Sequence, residues 1–441
     1  MIHRFEKTVA GRAPGGSPRR LDSRPVWAAG WSLAAVWALG FPLVSDLPAH
    51  RAWGLSAAVG YGCAAVAAGL LPWPRARTVS LACALTGAVI VPLVLLVLTG
   101  LQQSEVGVIE RSGALTLHQG TPYLAHPHQA ADYTPYLPGM AVLGLPRALL
   151  GTDHRVPRAL GDARLWCALV FLACLHAGRR TLTAPDPGRP APAGRLPYGV
   201  ALTALIAAPP VALPLSVSGV DLPLTGLCCL ALCCAARGRP WATGLVLAAA
   251  CSLKWTAWPA TAVAAVLLGH TRGSRAALRC AATATAGTAL LLLPGALLSP
   301  RAMVEQVLAF PTGRGGAATP ADSPLPGHLL ADLGPAGWYA AAGLLLLGAL
   351  AVGASLLLRP PTGPAGAAQR LATGLTVGFL LAPAGRFGYL TLPLVLVAWT
   401  RQAAPEHSAR PDRPAPARRP RDQPATGAGA AAVRAPIRSG T

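Results

Sequence analysis

The chain has 441 residues, of which 53% are hydrophobic and only 12% are charged, and its mean hydropathy is +0.47. Soluble domains carry roughly 25% charged residues, so this composition excludes a soluble globular protein and indicates a polytopic membrane protein. The net charge of +21 does not indicate nucleic-acid binding, because the basic residues fall in loops and tails rather than along one folded surface.

The chain begins with a basic segment, residues 1–25, that is too long and too far from a small-residue cleavage site to be a removable signal peptide. It is predicted to be a cytoplasmic tail. The following residues contain apolar runs that approach or reach the ~20 residues needed to cross a bilayer as a helix. These runs are 26–44, 52–72, 79–100, 162–178, 276–298 and 336–358. Because only helices satisfy every backbone amide in lipid, the predicted fold is an all-α membrane bundle.

Short basic loops predict the orientation of the bundle. They lie at 73–78, 179–196, 237–239, 270–279 and 359–370. By the positive-inside rule these loops and both termini are cytoplasmic. The apolar stretches between 239 and 270 and between 370 and 401 must then each go out and return, with reversals near 254–259 and 383–388.

This topology predicts a membrane domain over 26–400 with about twelve passes and two large outer loops, 101–160 and 299–335. Within the first loop, segment 135–151 is interrupted by prolines and glycines, so it is predicted to be re-entrant or interfacial. That loop carries arginines that depart from the charge pattern, namely Arg111, Arg147, Arg155 and Arg158. The tail 401–441, rich in proline, alanine and arginine, is predicted to be cytoplasmic and disordered.

Four ionisable residues are left at the outer ends of helices: Glu105, Asp221, Lys254 and Arg386. A charge at membrane depth costs ~2.5–3.5 kcal/mol, so such residues are usually hydrated, paired or functional. Each also has a structural interpretation. Glu105 could solvate a helix end, Asp221 could cap the next helix, Lys254 could extend to the interface, and Arg386 could anchor there.

Two carboxylates and two cations at one surface fit a site for a lipid-linked phosphate and a hydroxyl compound. A carboxylate can take a proton from an attacking hydroxyl, and lysine and arginine stabilise the charge on a departing phosphate. His118, His126 and His128 with Asp132 match no familiar ligand spacing, and the cysteines lie inside apolar runs. No metal site and no cofactor are therefore predicted.

Several motifs, in order, resemble a known family. They are VIERSGALTLHQGTPY, DYTPYLPGMAVLGLP, SGVDLPLTGL, GRPWATGLVLAAACSLKWTAWPA, SPLPGHLLADLGP and LAPAGRFGYLTLPLVL, over roughly residues 100 to 400. This run of motifs resembles glycosyltransferase family 87, the polyprenol-phosphate-mannose-dependent group of GT-C membrane transferases. The resemblance implies a GT-C fold that moves a hexose, with mannose expected, from a polyprenyl-phosphate carrier to a glycan or glycolipid outside the cytoplasmic membrane.

The resemblance also implies an acidic base in an early outer loop. Glu105 takes that place, although family members more often have aspartate there, in the loop after the first span. Glu110 is the alternative, and Glu105 is preferred because it lies closer to the membrane edge. In the hypothetical mechanism Lys254 and Arg386 hold the leaving phosphate.

Asp221 and His328 are expected to orient sugar or acceptor hydroxyls. The expected partners are the lipid-linked donor, the acceptor and membrane lipid, without nucleic acid, and the expected location is the cytoplasmic membrane with the active site on the outer face. The rival interpretation is a transporter or lipid-linked-sugar flippase without catalytic activity. Transporters of this kind commonly show inverted repeats, and the chain has no repeat of fixed period.

Overall fold

The computed structural model describes residues 23–73, 75–183 and 196–403. Over these ranges the backbone is predominantly helical, and its one β contact is an isolated bridge between Asp322 and Gly385. The prediction of an all-α protein is confirmed for this part of the chain.

In chain order the α-helices are α1 (Arg24–Val44), α2 (Pro48–Leu70), α3 (Arg75–Leu85), α4 (Val91–Thr99), α5 (Ser104–Gln119), α6 (Leu145–Leu150), α7 (Arg155–Leu160), α8 (Ala163–Leu182), α9 (Tyr198–Ala207), α10 (Pro209–Val217), α11 (Leu222–Ala236), α12 (Pro240–Leu253), α13 (Trp258–Arg272), α14 (Ser274–Leu298), α15 (Pro300–Val304), α16 (Pro326–Ala331), α17 (Pro335–Leu358), α18 (Pro364–Leu381) and α19 (Thr391–Ala403). Short 3-10 segments occupy Ala130–Asp132, Pro138–Gly144, Trp255–Ala257, Phe310–Thr312 and Phe387–Leu390, and π-helical segments occupy Thr86–Ile90 and Glu305–Ala309.

Among the described residues, six helical segments are long and apolar enough to cross a membrane. They are α1, α2, the continuous run Arg75–Thr99, α8, α14 and α17, and they coincide with the six apolar runs of the sequence. α9 and α10 form a seventh candidate, bent by 62°. Other apolar helices are shorter, such as α11 with 15 residues and α12 with 14. Length and composition thus support six or seven spans, and the count of about twelve stays a prediction.

The structure describes the predicted tails only where they join the first and last helices. α1 begins at Arg24, and α19 ends at Ala403. The predicted tails 1–25 and 401–441 therefore lie almost wholly outside the described residues, as does most of the basic loop 179–196.

The third span (Arg75–Thr99) is fixed against α2 by its π-helical segment. A Cβ on Gly60 would lie 2.6 Å from the Cα of Gly87, so this approach of two backbones requires glycine. Trp53 Nε1 donates to the carbonyl of Ala88 at 2.8 Å, and Ser56 Oγ donates to the carbonyl of Gly87 at 2.7 Å. A π-helical turn changes the pattern of hydrogen bonds within a helix. The side chains of Trp53 and Ser56 donate to two carbonyls of this π-helical turn and so attach it to α2.

The third span ends where the chain turns toward Glu105. Gly100 follows α4 with a φ of 73°, the left-handed conformation that glycine adopts without a Cβ clash. The amide of Gln103 then donates to the carbonyl of Val217 at 3.1 Å. This bond joins the start of α5 to the end of α10, shortly before Asp221.

A buried ion pair ties together three of these helix ends. Arg164 is 0% exposed and donates from Nε and Nη2 to the two carboxylate oxygens of Asp162, at 2.9 and 2.7 Å. Its other N–H groups donate to the carbonyls of Leu96, Leu101 and Ser216, at 3.1, 2.9 and 3.2 Å. The pair therefore connects the start of α8 to the ends of the third span and of α10.

Glu110 extends this network into loop 101–160. Its Oε1 accepts from Arg147 Nη2 at 3.0 Å and from the amide of Ala163 at 3.1 Å. The same Arg147 nitrogen lies 3.7 Å from Asp162 Oδ2. Arg147, one of the arginines that depart from the charge pattern, is thus used inside the fold.

Loop 101–160 and loop 299–335 pack against each other. Gln306 is fully buried, accepts from the amide of Thr134 at 3.0 Å and donates to the carbonyl of Leu124 at 2.7 Å. The rings of Tyr133 and Phe310 stack with centroids 4.3 Å apart. The two long loops therefore form one structural unit.

Segment 135–151 folds as a 3-10 segment followed by α6. The apolar stretch Pro138–Leu150 is shorter than a span. The amide of Leu137 donates to the carbonyl of Leu253 at 3.0 Å, and a Cβ on Gly144 would lie 2.0 Å from the carbonyl oxygen of Ile109. The segment is held between α5 and the end of α12, and its re-entrant or interfacial nature stays a prediction.

We predict that Arg164→Met strongly destabilises the protein, because the Asp162 carboxylate and three carbonyls lose their shared donor. Removing one partner of a buried ion pair costs about 3–5 kcal/mol. The melting temperature of the detergent-purified variant should fall well below that of the wild type. Arg155→Met, at an exposed arginine of the same region, should leave it unchanged. Equal melting temperatures for Arg164→Met and Arg155→Met would contradict the structural role of the pair.

Candidate active site

The four ionisable residues predicted to share one surface lie at four different chain reversals. Glu105 is in the first turn of α5, Asp221 directly precedes α11, Lys254 follows α12, and Arg386 lies between α18 and α19. The structure brings these residues, the charged cluster, together as two ion pairs.

The first ion pair joins Glu105 Oε1 to Arg386 Nη1, with the two side chains 15% and 22% exposed. Two neighbouring polar side chains also approach the carboxylate. Gln103 Nε2 lies 3.4 Å from Glu105 Oε1, and Ser104 Oγ lies 3.4 Å from Oε2. The carboxylate is therefore surrounded by hydrogen-bond donors at the edge of the packed helices.

The second ion pair joins Lys254 Nζ to Asp221 Oδ1 at 2.9 Å. Lys254 is only 9% exposed, and at this residue the backbone leaves α12 in an extended conformation. Asp221 stands at the N-terminal boundary of α11 but makes no side-chain capping bond to that helix. The interpretation of Asp221 as a helix cap is therefore wrong, since its carboxylate binds the ammonium of Lys254 instead.

Aromatic rings connect the two ion pairs. Lys254 Nζ lies 4.4 Å from the ring centroid of Tyr389 and 5.7 Å from that of Tyr136, within the range of cation–π attraction. Tyr389 belongs to the 3-10 segment that begins directly after Arg386, and its amide donates to the Arg386 carbonyl at 3.1 Å. One short turn thus carries both Arg386 and the ring against which Lys254 rests.

Loop 299–335 holds the turn that carries Arg386. Arg386 Nε donates to the carbonyl of Pro320 at 3.2 Å. The amide of Gly385 donates to the carbonyl of Ala321 at 3.0 Å, and the amide of Ser323 donates to the carbonyl of Gly385 at 3.1 Å. These backbone bonds set the position of the guanidinium.

His328 contacts the same turn. Its Nδ1 lies 3.1 Å from the carbonyl oxygen of Pro383, and its Nε2 lies 3.5 Å from Asp332 Oδ2. The contacts that the structure shows for His328 are therefore with the backbone ahead of Arg386 and with its own helix, and not with the charged cluster.

Glu105 and Glu110 have different surroundings. Positions five residues apart on a helix are separated by ~140°, and the two carboxylates accordingly face different partners. Glu110 binds Arg147 and the amide of Ala163, whereas Glu105 binds Arg386. Of the two, only Glu105 is part of the charged cluster.

Two polar residues near the start of α2 were not singled out from the sequence. His50, in the first turn of α2, lies close to Gln103, beside Glu105, and to Arg386. Asp46, four residues earlier, is exposed and makes no hydrogen bond or ion pair to another described residue. Asp46 is an aspartate in the loop after the first span, which is the position expected for the base from the family resemblance. That pattern could have identified Asp46 from the sequence.

The histidines of loop 101–160 do not gather around Asp132. The carboxylate of Asp132 accepts from the amides of His128 and Gln129, at 3.0 and 3.1 Å. These bonds lower the pKa of Asp132 and close a short 3-10 turn. Among the described residues, no group of three or more His, Cys, Asp or Glu side chains is positioned to hold a metal ion.

The model of one protein family, glycosyltransferase family 87, matches residues 133–383 of the chain, which is more than half of its length. The match includes Asp221, Lys254 and His328, begins after Glu105 and ends shortly before Arg386. No curated protein and no solved structure matches the chain.

Asp221 and Lys254 should stabilise the protein as a pair. Lys254→Met leaves a partly buried carboxylate unpaired, and Asp221→Asn leaves a buried ammonium unpaired, so each variant should melt below the wild type. The double variant should lose less than the sum of the two, with a coupling of about 0.5–3 kcal/mol. Asp153→Asn, at an exposed aspartate, serves as the control. Additive losses in the double variant would show that the two charges act independently.

Proposed function

Because this chain belongs to glycosyltransferase family 87, we propose that it transfers a hexose, with mannose as the first candidate, from a polyprenyl-phosphate carrier to a glycan or glycolipid acceptor. Family membership makes the chain a membrane glycosyltransferase with a sugar donor and a sugar acceptor. The observation that carries the finer proposal is the charged cluster, in which two cations and two carboxylates meet at the ends of apolar helices.

The two cations favour a donor whose leaving group is a lipid phosphate. Lys254 and Arg386 follow or connect apolar helices. In the proposed topology both residues stand at the outer ends of these helices, where the phosphate of a membrane-anchored carrier also lies. A phosphate that departs from the sugar gains negative charge, and lysine and arginine stabilise that charge without a metal ion. We therefore assign both residues to the leaving phosphate.

Before the donor arrives, the Glu105 carboxylate is occupied by Arg386. An incoming phosphate competes for the same guanidinium, because arginine binds phosphate and carboxylate oxygens with the same N–H groups. Exchange of Arg386 from carboxylate to phosphate releases Glu105. Donor binding and release of the base are then one event.

The released Glu105 carboxylate takes the proton of an acceptor hydroxyl. The hydroxyl oxygen attacks the anomeric carbon through an oxocarbenium-like transition state, as in other glycosyl transfers. The bond from that carbon to the phosphate oxygen breaks, and the phosphate leaves with the electron pair, next to Lys254 and Arg386. The products are a glycosylated acceptor and the lipid phosphate.

Asp221 and His328 have supporting roles in this scheme. Lys254 binds Oδ1 of Asp221, so Oδ2 is the oxygen proposed to accept a hydrogen bond from a sugar hydroxyl. For His328 we propose a positioning role rather than a contact with hydroxyls, because its Nδ1 contacts the carbonyl of Pro383 in the turn that precedes Arg386.

Asp46 is a second candidate for the base. It is exposed and makes no ion pair to a described residue, so it can accept a proton without first exchanging a partner. It also lies four residues before His50, which lies close to Gln103 beside Glu105. Asp46 and Glu105 are thus alternative candidates for the general base. The sugar-transfer activity of variants at the two positions distinguishes them.

The proposed architecture is a GT-C bundle of about twelve passes in the cytoplasmic membrane. Both termini are cytoplasmic in this proposal, and the charged cluster faces outward. The positive-inside pattern of the short basic loops supports this orientation. The rival, a transporter or flippase without chemistry, lacks a reason for a base next to a phosphate site.

We expect purified wild type to transfer sugar from polyprenyl-phosphate-mannose, and Glu105→Gln to be slower by roughly 10²–10⁴, the usual contribution of a general base. The assay should measure the glycosylated acceptor, with melting temperatures showing that the variants are folded. Asp153→Asn should transfer at the wild-type rate.

Three outcomes separate the alternatives. Full activity in Glu105→Gln together with an inactive Asp46→Asn would assign the base to Asp46. Transfer by the wild type from a nucleotide sugar but not from the lipid donor would overturn the proposed donor. No transfer by folded wild type from either lipid-linked sugars or nucleotide sugars would contradict the proposed transfer reaction.

A further inference from the structure

A pocket that the proposed reaction does not use lies at the N-terminal end of α17. It is a shallow, open pocket with a volume of about 380 Å³. It is lined by Arg314, Ala331, Gly334, Pro335, Trp338 and Tyr339. One cation and two aromatic rings therefore form its walls.

The guanidinium of Arg314 is stacked on an indole ring. Its central carbon lies 3.7 Å from the ring centroid of Trp338 and 5.8 Å from that of Tyr339. A separation of 3.7 Å places the guanidinium in van der Waals contact with the ring, within the range of cation–π attraction. Trp338 Nε1 in turn donates to the carbonyl of Thr312 at 3.4 Å, which holds the ring in place.

Arg314 has no acidic partner among the described residues. The carboxylates that flank it in loop 299–335 face other groups, since Glu305 accepts from the hydroxyl of Tyr133 and Asp332 lies against His328. Arg314 is the one charged residue among those that line the pocket, and its guanidinium makes no ion pair with a described residue, so it is available to an anion.

The pocket lies at the boundary between a membrane-crossing helix and a polar loop. α17 is one of the six segments long and apolar enough to span a membrane. Tyr339 and Leu333 are 65% and 78% exposed, and leucines such as Leu346 and Leu347 stay exposed farther along the helix. Tryptophan and tyrosine at the end of a span mark the headgroup region of the bilayer.

We propose that this pocket binds the phosphate group of a membrane lipid headgroup. The in-plane N–H groups of a guanidinium match two phosphate oxygens, and Tyr339 covers the side. The exposed leucines of α17 give acyl chains a surface, which a free phosphate ion would not use.

This binding site is separate from the charged cluster and does not depend on the proposed transfer reaction. Arg314 and Trp338 make their contacts with each other, with Tyr339 and with the backbone of their own loop. Loss of lipid binding and loss of sugar transfer can therefore be measured as independent results.

The test measures binding of dioctanoyl phosphatidylglycerol to the purified protein by native mass spectrometry. Dioctanoylglycerol, which has the same chains without phosphate, and inorganic phosphate are the comparison ligands. Arg314→Gln should weaken phospholipid binding about tenfold, the loss expected from a charge-assisted hydrogen bond. Arg301→Gln, at another exposed arginine of the same loop, should bind like the wild type.

Equal phospholipid affinity in Arg314→Gln and Arg301→Gln would overturn the proposal. Inorganic phosphate bound as tightly as the phospholipid would overturn the lipid as its source. If Arg314→Gln proves unstable, Arg314→Lys takes its place, since lysine keeps the charge but loses the paired N–H groups, and phospholipid affinity equal to that of the wild type would overturn the proposal.

Discussion

The buried pair of Asp162 and Arg164 is the interaction on which the candidate site depends. Arg164 gives its N–H groups to a carboxylate and to carbonyls at the ends of the third span and of α10. Those two ends lead directly to Glu105 and Asp221. A buried carbonyl without a hydrogen-bond donor destabilises the fold where water is scarce. Arg164 contacts neither ion pair, yet it fixes the two helix ends from which the chain leads to Glu105 and Asp221.

The long helices could be predicted from the sequence, whereas the side-chain pairings could not. Six apolar runs are sufficient to define six spans, because hydropathy over ~20 residues is a local property. Whether Asp221 caps α11 or binds Lys254 depends on how α11 and α12 pack. In the structure Asp221 forms the ion pair with Lys254. Arg164 lies at the start of the apolar run 162–178, and nothing in the sequence around it indicates that its side chain is fully buried.

The arginines of loop 101–160 show the limit of reading topology from charge. Arg111 donates to the carbonyls of Ala131 and Asp132, at 2.7 and 2.9 Å, and Arg147 pairs with Glu110. Arginines that serve the fold report little about orientation. Glu105 and Glu110 lie in the same loop and differ in the cation that each one binds. Glu105 pairs with Arg386 and Glu110 pairs with Arg147, which the sequence does not show.

In the proposed reaction, a lipid phosphate displaces the Glu105 carboxylate from Arg386. The most direct measurement is an experimental structure of the protein bound to a non-transferable polyprenyl-phosphate-sugar analogue. We expect the phosphate within hydrogen-bonding distance of Lys254 and Arg386, with Glu105 separated from Arg386 and facing the anomeric carbon. A phosphate bound elsewhere, with the pair of Glu105 and Arg386 intact, would contradict it.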